Sequence, residues 1–285
     1  AQLYRYEQSG ELAGLERVRT FCLADAHIIC ASEEQAVEEV GRALDLIEHV
    51  ASVLGLTQGE DYSFRLSLGD RTNTEKYYKN DAAWEKGEDL LRKHLQGRGK
   101  PFVEAADEAA FYGPKIDVQM KNVNGKENTA FTVQYDFCMP ERFDLSYTGE
   151  DGERHRAFVV HRSSIGAIER IMAFLIERYG GAFPTWLSPV QVAILPVSDK
   201  HKDYGASVHK ELMDAGVRAE LAQSDESLGK RIREAKVMKT PYILVVGDKE
   251  IESGQVSAES RSESLGAMSL ADFKEKILKE IKERK

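Results

Sequence analysis

The sequence predicts an α+β unit of hairpin-joined strands and helices, followed by a smaller α/β unit. Three observations carry this. The chain opens on two short apolar-aromatic segments, residues 3–6 and 18–23, separated by a loop, as the strands of a hairpin are. A second hairpin signal, Asn122-Val123-Asn124-Gly125, lies between strand-like residues 116–121 and 129–137. Beyond Pro184-Thr185-Trp186-Leu187-Ser188-Pro189, strands alternate with helices to the end, the pattern of a compact α/β domain. That proline-flanked stretch sets the expected domains at 1–187 and 188–285.

In order, the first hairpin loop, 8–16, contains Gly10 and Gly14, whose backbone freedom suits a tight excursion. Side chains alternate along a strand, so Arg5 and Glu7 are expected on one face, and Arg17, Arg19 and Phe21 on one face of the partner. The apolar run 26–30 leads to Ser32, which with Gln35 forms a capping box. A helix follows to about residue 54, with Val37, Val40, Leu44, Ile47, Ala51 and Leu54 on one side. Residues 61–68 alternate as a strand, 80–96 read as a helix ending at Gly97-Arg98-Gly99, and 101–104 read as a strand. A helix is expected over 163–179, stopping at Gly180-Gly181. The second unit reads as strands at 190–196, 218–221, 242–246 and near 255–257, with helices at 204–215, 228–238 and 270–282.

A chain of 285 residues, 42% hydrophobic and 31% charged, can bury a proper core. The net charge of −9 comes from 39 basic and 48 acidic residues. From Val190 onward the signs balance at 17 each, so the acidic excess lies in the first 189 residues. Such a chain does not grip polyanions indiscriminately, although local patches can hold RNA. Cys22, Cys30 and Cys138 are odd in number and lack framework spacing, which points to a reduced, cytoplasmic setting. No apolar run approaches the ~18 residues of a membrane span, and no secretory leader opens the chain. Ala1 begins inside a strand-like segment and reads as an internal boundary of a longer protein.

Three groups of residues carry chemistry. Arg5, Glu7, Arg17 and Phe21 suit a nucleotide: guanidiniums hold phosphate, a ring stacks on a base, and a carboxylate accepts from an exocyclic amine. A solvent-facing hairpin with cross-strand ion pairs explains the same residues equally well. Asp25-Ala26-His27 and His161-Arg162 offer imidazoles, but a zinc site open to substrate needs about three protein ligands, so the residues leave a metal undecided. Cys30, three residues after His27, reads as core. In Ile165-Gly166-Ala167-Ile168-Glu169-Arg170, the arginine would ordinarily lie on a helix surface and pair with Glu169 or Glu177.

Arg5-x-Glu7, a loop and then Arg17-x-x-x-Phe21 resembles motif 2 of the class II aminoacyl-tRNA synthetases, and the run ending Glu169-Arg170 resembles their motif 3. Within that class the chain is similar to the threonyl family. Ala110-Phe111-Tyr112-Gly113-Pro114-Lys115-Ile116-Asp117, Thr132-Val133-Gln134-Tyr135-Asp136-Phe137, and the Phe-Pro-Thr-Trp-Leu-Ser-Pro-Val run from Phe183 carry the likeness, with smaller runs spread over essentially the whole chain. The resemblance implies an antiparallel class II core with helices and an α/β anticodon-binding domain. It implies a threonine–tRNA ligase acting on ATP, threonine and tRNA(Thr), with Mg²⁺ accompanying ATP, one Zn²⁺ per subunit and a homodimeric full-length protein.

It also implies roles. Arg5 bridges the α-phosphate and the amino-acid carboxylate, Glu7 takes the adenine amine, Phe21 stacks, and Arg17 and Arg170 hold the outer phosphates. Arg5, Arg170 and Lys115 are the implied catalytic residues; Asp25, Tyr112 and Gln134 bind threonine; His27 and His161 are two zinc ligands; and Glu250 reads the anticodon. The family's third zinc ligand, motif 1 and editing domain all lie upstream of the matching region. Leu23 stands where a polar pocket residue is usual, residues 128–131 depart from the family run, and Asp225 and Glu259 replace Asn and Arg in the second domain. Lys230, Arg231, Arg233, Lys236 and Lys239 are equally a solvated helix face or RNA contacts. A prolyl or histidyl relative is the neighbouring reading within the class. The rival of another kind is a non-catalytic paralogue that binds RNA or a protein partner.

Overall fold

The computed structural model describes all 285 residues, which divide into a unit from Ala1 to Phe174 and a unit from Leu175 to Lys285. The first contains β1 (Gln2–Tyr4), β2 (Thr20–Cys30), α1 (Glu33–Val53), β3 (Tyr62–Ser67), α2 (Asp81–Gly97), β4 (Phe102–Ala105), β5 (Lys115–Lys121) and β6 (Glu127–Asp136). It continues through α3 (Met139–Arg142), β7 (Ser146–Thr148), β8 (Arg154–Arg156), β9 (Phe158–Ala167) and the start of α4 (Ile168–Tyr179). As the capping box predicts, the Ser32 hydroxyl accepts from the Gln35 amide at 3.1 Å, but the Gln35 side chain accepts from the Ala31 amide at 2.7 Å rather than from that of Ser32. Asn80 caps α2 through the Ala83 amide at 3.1 Å.

Seven strands form one sheet in the order β1-β2-β9-β6-β5-β3-β4, antiparallel except for the β3–β4 pair. One face is apolar: Phe64, Leu66, Ile116, Val118, Met120, Phe131, Val133 and Val160 are all buried. Helix α1 lies against β9, β6 and β2, and α2 against β5 and α1. The α1 stripe Ala36, Val40, Leu44, Ile47 and Ala51 is buried, and each large apolar side chain so removed from water contributes about 1.5–3 kcal/mol.

Three expectations are corrected here. The first hairpin has shorter strands and a longer connection than its apolar residues suggest: β1 ends at Tyr4 and β2 begins at Thr20, so Arg5, Glu7, Arg17 and Arg19 stand beyond the strands rather than on their faces. β2 runs without a break from Thr20 to Cys30, merging two predicted segments. Residues 163–167 are the end of strand β9, not the start of a helix, because they pair with β2 and β6. The chain turns into α4 at Gly166, whose φ is +71°; a Cβ there would lie 2.0 Å from the Ala130 carbonyl oxygen. The unpredicted β9 sits beside β2 near the middle of the sheet.

The second unit comprises β10 (Val192–Pro196), α5 (Lys202–Asp214), β11 (Ala219–Leu221), α6 (Leu228–Val237), β12 (Tyr242–Val246), α7 (Asp248–Ser253), β13 (Gln255–Ser260), β14 (Ser264–Ser269) and α8 (Leu270–Glu283). Its five strands run β11-β10-β12-β13-β14, parallel in the first three and antiparallel in the rest. Both faces are covered. Val192, Ile194, Leu244 and Val246 pack with Val208, Leu212, Phe273 and Ile277, while Leu195 and Ile243 pack with Ala235 on the other side. The α/β expectation holds; α7 and β14 are additions to it. Together the units bear out the α+β core followed by an α/β domain. No helix is long and apolar enough to cross a membrane.

Candidate active site

The face of the seven-stranded sheet opposite α1 is polar, and strand register builds it. Lys115 lies across from Gln134, Gln134 from His161, and His161 from His27. The adjacent row runs Asp117, Thr132, Ser163 and Asp25. Residues far apart in sequence thus become lateral neighbours, since cross-strand partners project to the same side. A cleft of about 340 Å³ opens over these rows. Arg5, Glu7, Arg17, Phe21, Asp25, Lys115, Gln134, His161 and Arg170 all line it.

At the nucleotide-like end, Arg17 Nε and Nη2 approach Glu7 Oε2 at 3.0 and 2.9 Å. That guanidinium holds the Glu7 carboxyl below the usual carboxylate range, and Glu7 in turn raises Arg17. Both contacts fall on Oε2. The Arg5 guanidinium carbon stands 4.9 Å from the centre of the buried Phe21 ring, a cation–π arrangement. Arg170 departs from the surface-pair expectation. Its Nε donates to the Glu16 carbonyl at 2.9 Å and its Nη1 to the Thr129 carbonyl at 2.5 Å. Burial, with the like charges of Arg5 and Arg17 adding, pulls its pKa below the ordinary arginine value. Arg170, disfavoured as a cation by Arg5 and Arg17, forms with them a receptor for polyanionic oxygens, which relieve that repulsion.

Glu169 fixes the neighbouring backbone: both carboxylate oxygens accept from the Cys22 amide at 3.1 Å, next to the register shift between Leu23 and Asp25. Lys115 Nζ is 2.9 Å from Asp117, a fully buried carboxylate that also binds Arg65 Nη2 at 3.1 Å, the Ser67 hydroxyl at 2.8 Å and the Thr132 hydroxyl at 3.0 Å. Sequence reasoning gave Asp117 no role. Its signal was the alternation in Lys115-Ile116-Asp117-Val118-Gln119-Met120, whose polar members share a face.

At the other end, the Tyr112 hydroxyl donates to the Gln134 side-chain oxygen, and its ring lies 4.9 Å from that of His161. Burial pushes the Tyr112 phenol up to about 12, with the Asp136 and Asp25 carboxylates adding to the shift. The His27 and His161 rings meet edge-on with centres 4.4 Å apart, and His27 Nε2 is 3.6 Å from Asp25. Tyr112 and His27 therefore border the cleft through Gln134 and His161. Two adjacent imidazoles, one with its Nε2 held by Asp136, suit a zinc ion as two of the about three ligands required. No group of three His, Cys, Asp or Glu residues able to hold a metal is present. Cys30 is buried as expected, and Cys138 is buried as well.

Glu250 belongs to the second unit, on α7, where its carboxylate accepts from the Gly247 amide at 2.9 Å and so caps its own helix. Of the basic residues on α6, Arg231 is buried and donates to the Pro196 carbonyl at 2.7 Å, a structural role that overrides both sequence readings. Lys236 pairs with Glu259 at 2.6 Å and Lys230 with Glu226 at 2.6 Å. Glu259 thus neutralises a neighbouring lysine.

Both units match known protein families. A family model described as the tRNA synthetase class II core domain (G, H, P, S and T) matches residues 1–179, and one described as an anticodon binding domain matches 191–280. A threonine–tRNA ligase of Clostridium botulinum is 52% identical over 280 residues, 98% of this chain and 43% of that protein. One from Clostridium perfringens is 50% identical over 283 residues, 99% of this chain and 44% of that protein. Among solved structures, the RNA binding domain of threonyl-tRNA synthetase from Cryptosporidium parvum superposes with a TM-score of 0.87 at 32% identity, over 98% of this chain and 68% of that one. The chain thus spans less than half the length of these bacterial relatives.

Proposed function

The chain belongs to the class II aminoacyl-tRNA synthetase family, and on that premise we propose that it is part of a threonine–tRNA ligase. The observation that carries the reading is the convergence of Arg5, Glu7, Arg17, Phe21 and Arg170 on one cleft whose floor continues to Asp25, Gln134 and His161. In the first step a threonine carboxylate oxygen attacks the α-phosphorus of ATP and the α–β phosphate bond breaks, releasing pyrophosphate. Charge grows on phosphate oxygens, so preorganised cations supply the catalysis, with Mg²⁺ accompanying the nucleotide. Arg5 spans the α-phosphate and the carboxylate, Arg17 and Arg170 take the outer phosphates, and Lys115, braced by Asp117, adds a further cation. Phe21 supplies the stacking ring, and Glu7 receives the adenine amine while Arg17 occupies its Oε2. In the second step a terminal tRNA hydroxyl attacks the carbonyl carbon of the adenylate, and AMP leaves.

At the amino-acid end Asp25 accepts the threonine hydroxyl, and Tyr112 and Gln134 complete the pocket. His27 and His161 hold zinc, with the remaining ligand contributed from outside these residues. Bound zinc would take the amino and hydroxyl groups of threonine as a Lewis acid. An apolar pocket separates threonine from isosteric valine by only about 10²-fold, whereas a site that must bind the hydroxyl rejects valine far more strongly. Glu250 and the second unit meet the anticodon, with the functional domains divided at 1–187 and 188–285. The full-length protein is a cytoplasmic homodimer.

The test is amino-acid-dependent ATP–pyrophosphate exchange on the longest reading frame containing this chain, with threonine, serine, valine, proline and histidine compared. Exchange with threonine, weaker with serine and absent with valine, is expected. Exchange with proline or histidine instead would overturn the pocket assignment. Silence with all five would favour a non-catalytic paralogue that binds RNA or a protein.

A further inference from the structure

Asp136 ends β6, one step beyond the residues that line the amino-acid end of the cleft. It is fully buried, and each of its oxygens is committed. Oδ1 accepts from the Cys138 amide at 2.9 Å and the Met139 amide at 2.8 Å, which fixes the carboxylate to the start of α3. Oδ2 lies 2.7 Å from His161 Nε2. An acceptor-only group at that distance requires a proton on Nε2, so the neutral ring keeps its lone pair on Nδ1. The same ring is confined by Tyr112 at 4.9 Å and by His27 edge-on at 4.4 Å, so both its tautomer and its orientation are constrained.

We infer that Asp136 is a positioning residue for His161, selecting the tautomer whose Nδ1 binds metal and holding the ring beside His27. The inference rests on the zinc reading above for its consequence, but not for its geometry. A carboxylate on the distal nitrogen of a ligating histidine both orients the ring and raises its basicity, and losing such a partner weakens metal binding 10–100-fold as a rule of thumb.

The discriminating variant is Asp136→Asn. Its side-chain oxygen keeps accepting from the Cys138 and Met139 amides, while its NH₂ now faces Nε2 as a donor. The ring then places its proton on Nδ1, the nitrogen the metal needs. A buried carboxylate changed to its amide inverts imidazole tautomers in this way at other sites.

Two measurements follow. In the longest reading frame containing this chain, zinc affinity by chelator competition falls roughly 10–100-fold in the variant relative to wild type. Histidine ¹⁵N spectra of metal-free protein, at a pH where the ring is neutral, show His161 protonated on Nε2 in wild type and on Nδ1 in the variant. Equal zinc affinities, or wild-type His161 protonated on Nδ1, would overturn the inference. The wild-type spectrum decides even if the variant does not fold. A wild-type protein that binds no zinc but shows the Nε2 proton would refute the zinc reading and leave the tautomer assignment standing.

Discussion

The two sheets of this chain differ in strand length, with central strands of 10–11 residues in the first and none longer than 6 in the second, and they have opposite cross-sections. The sheet of the first unit is apolar on one face, against α1 and α2, and polar on the other, where Lys115, Asp117, Thr132, Gln134, His161 and Ser163 face a cleft. The central strands of the second are apolar on both faces, with Val192, Ile194 and Leu244 on one side and Leu195 and Ile243 on the other. The difference is visible in the strands themselves. Lys115-Ile116-Asp117-Val118-Gln119-Met120 alternates strictly, whereas Tyr242-Ile243-Leu244-Val245-Val246 is a continuous apolar run. A strand covered on both faces needs no alternation, while a half-open one leaves every second position free for chemistry. The first sheet is accordingly a platform for a site, and the second is a scaffold.

If that contrast is right, substitutions in the two sheets fail differently. The largest effect is expected from Leu244→Ala, which empties a fully buried position between layers; urea unfolding monitored in the second unit should show a loss of about 2–5 kcal/mol. A loss under 1 kcal/mol would mean that the second sheet is not close-packed. Arg5→Ala should do the reverse. Its guanidinium is exposed beside Phe21, so the unfolding midpoint stays put while pyrophosphate exchange by the full reading frame falls roughly 10²–10³-fold. Unchanged exchange would remove Arg5 from the site.

Next comes a pH effect from the polar platform. The Tyr112 phenol is raised from 10 to about 12 in the fold, so its contribution is fully present below pH 10. Above that, the unfolded chain ionises first, and Tyr112 alone should cost roughly 2–3 kcal/mol of stability between pH 10 and 12, in addition to the loss from Tyr135 and Tyr242, whose phenols burial also raises. Tyr112→Phe should make that slope shallower by this share, and an identical slope in the variant would show that the other phenols carry it. The smallest effect is expected from Ser32→Ala, which removes the cap of α1 on the apolar side of the same sheet and should cost about 1 kcal/mol in thermal unfolding without touching the exchange rate.

Much of this was legible along the chain. The capping box at Ser32, the Asn-Gly turn at Gly125 and the strand–helix alternation after Pro189 are local signals with local causes, and the elements they predict are present. The motif residues Arg5, Glu7, Arg17, Phe21 and Arg170 were recognisable as a set through their likeness to the class II motifs, since their types alone fitted a solvent-facing hairpin and a helix-surface arginine as well. β9 was not legible. Its His161-Arg162-Ser163-Ser164 stretch lacks a clean period, since one side of it faces the cleft and the other lies toward α1. Only pairing with β2 and β6 stabilises it as a strand, and only the Gly166 turn ends it.

The amino-acid sequence by itself determined the two-unit organisation, most of the helices and strands, and the kinds of side chain available for catalysis, because these depend on neighbours within a few residues. Tertiary structure decided which of those side chains meet. Register across four strands sets Lys115, Gln134, His161 and His27 in one row, and the packing of Arg170 onto the Glu16 and Thr129 carbonyls turns a helix-surface arginine into a cleft residue. It also decided that Arg231 is buried structure and that Asp136 holds His161. Such pairings depend on hydrogen-bonded register and close packing between segments up to about 150 residues apart, and no local pattern encodes them.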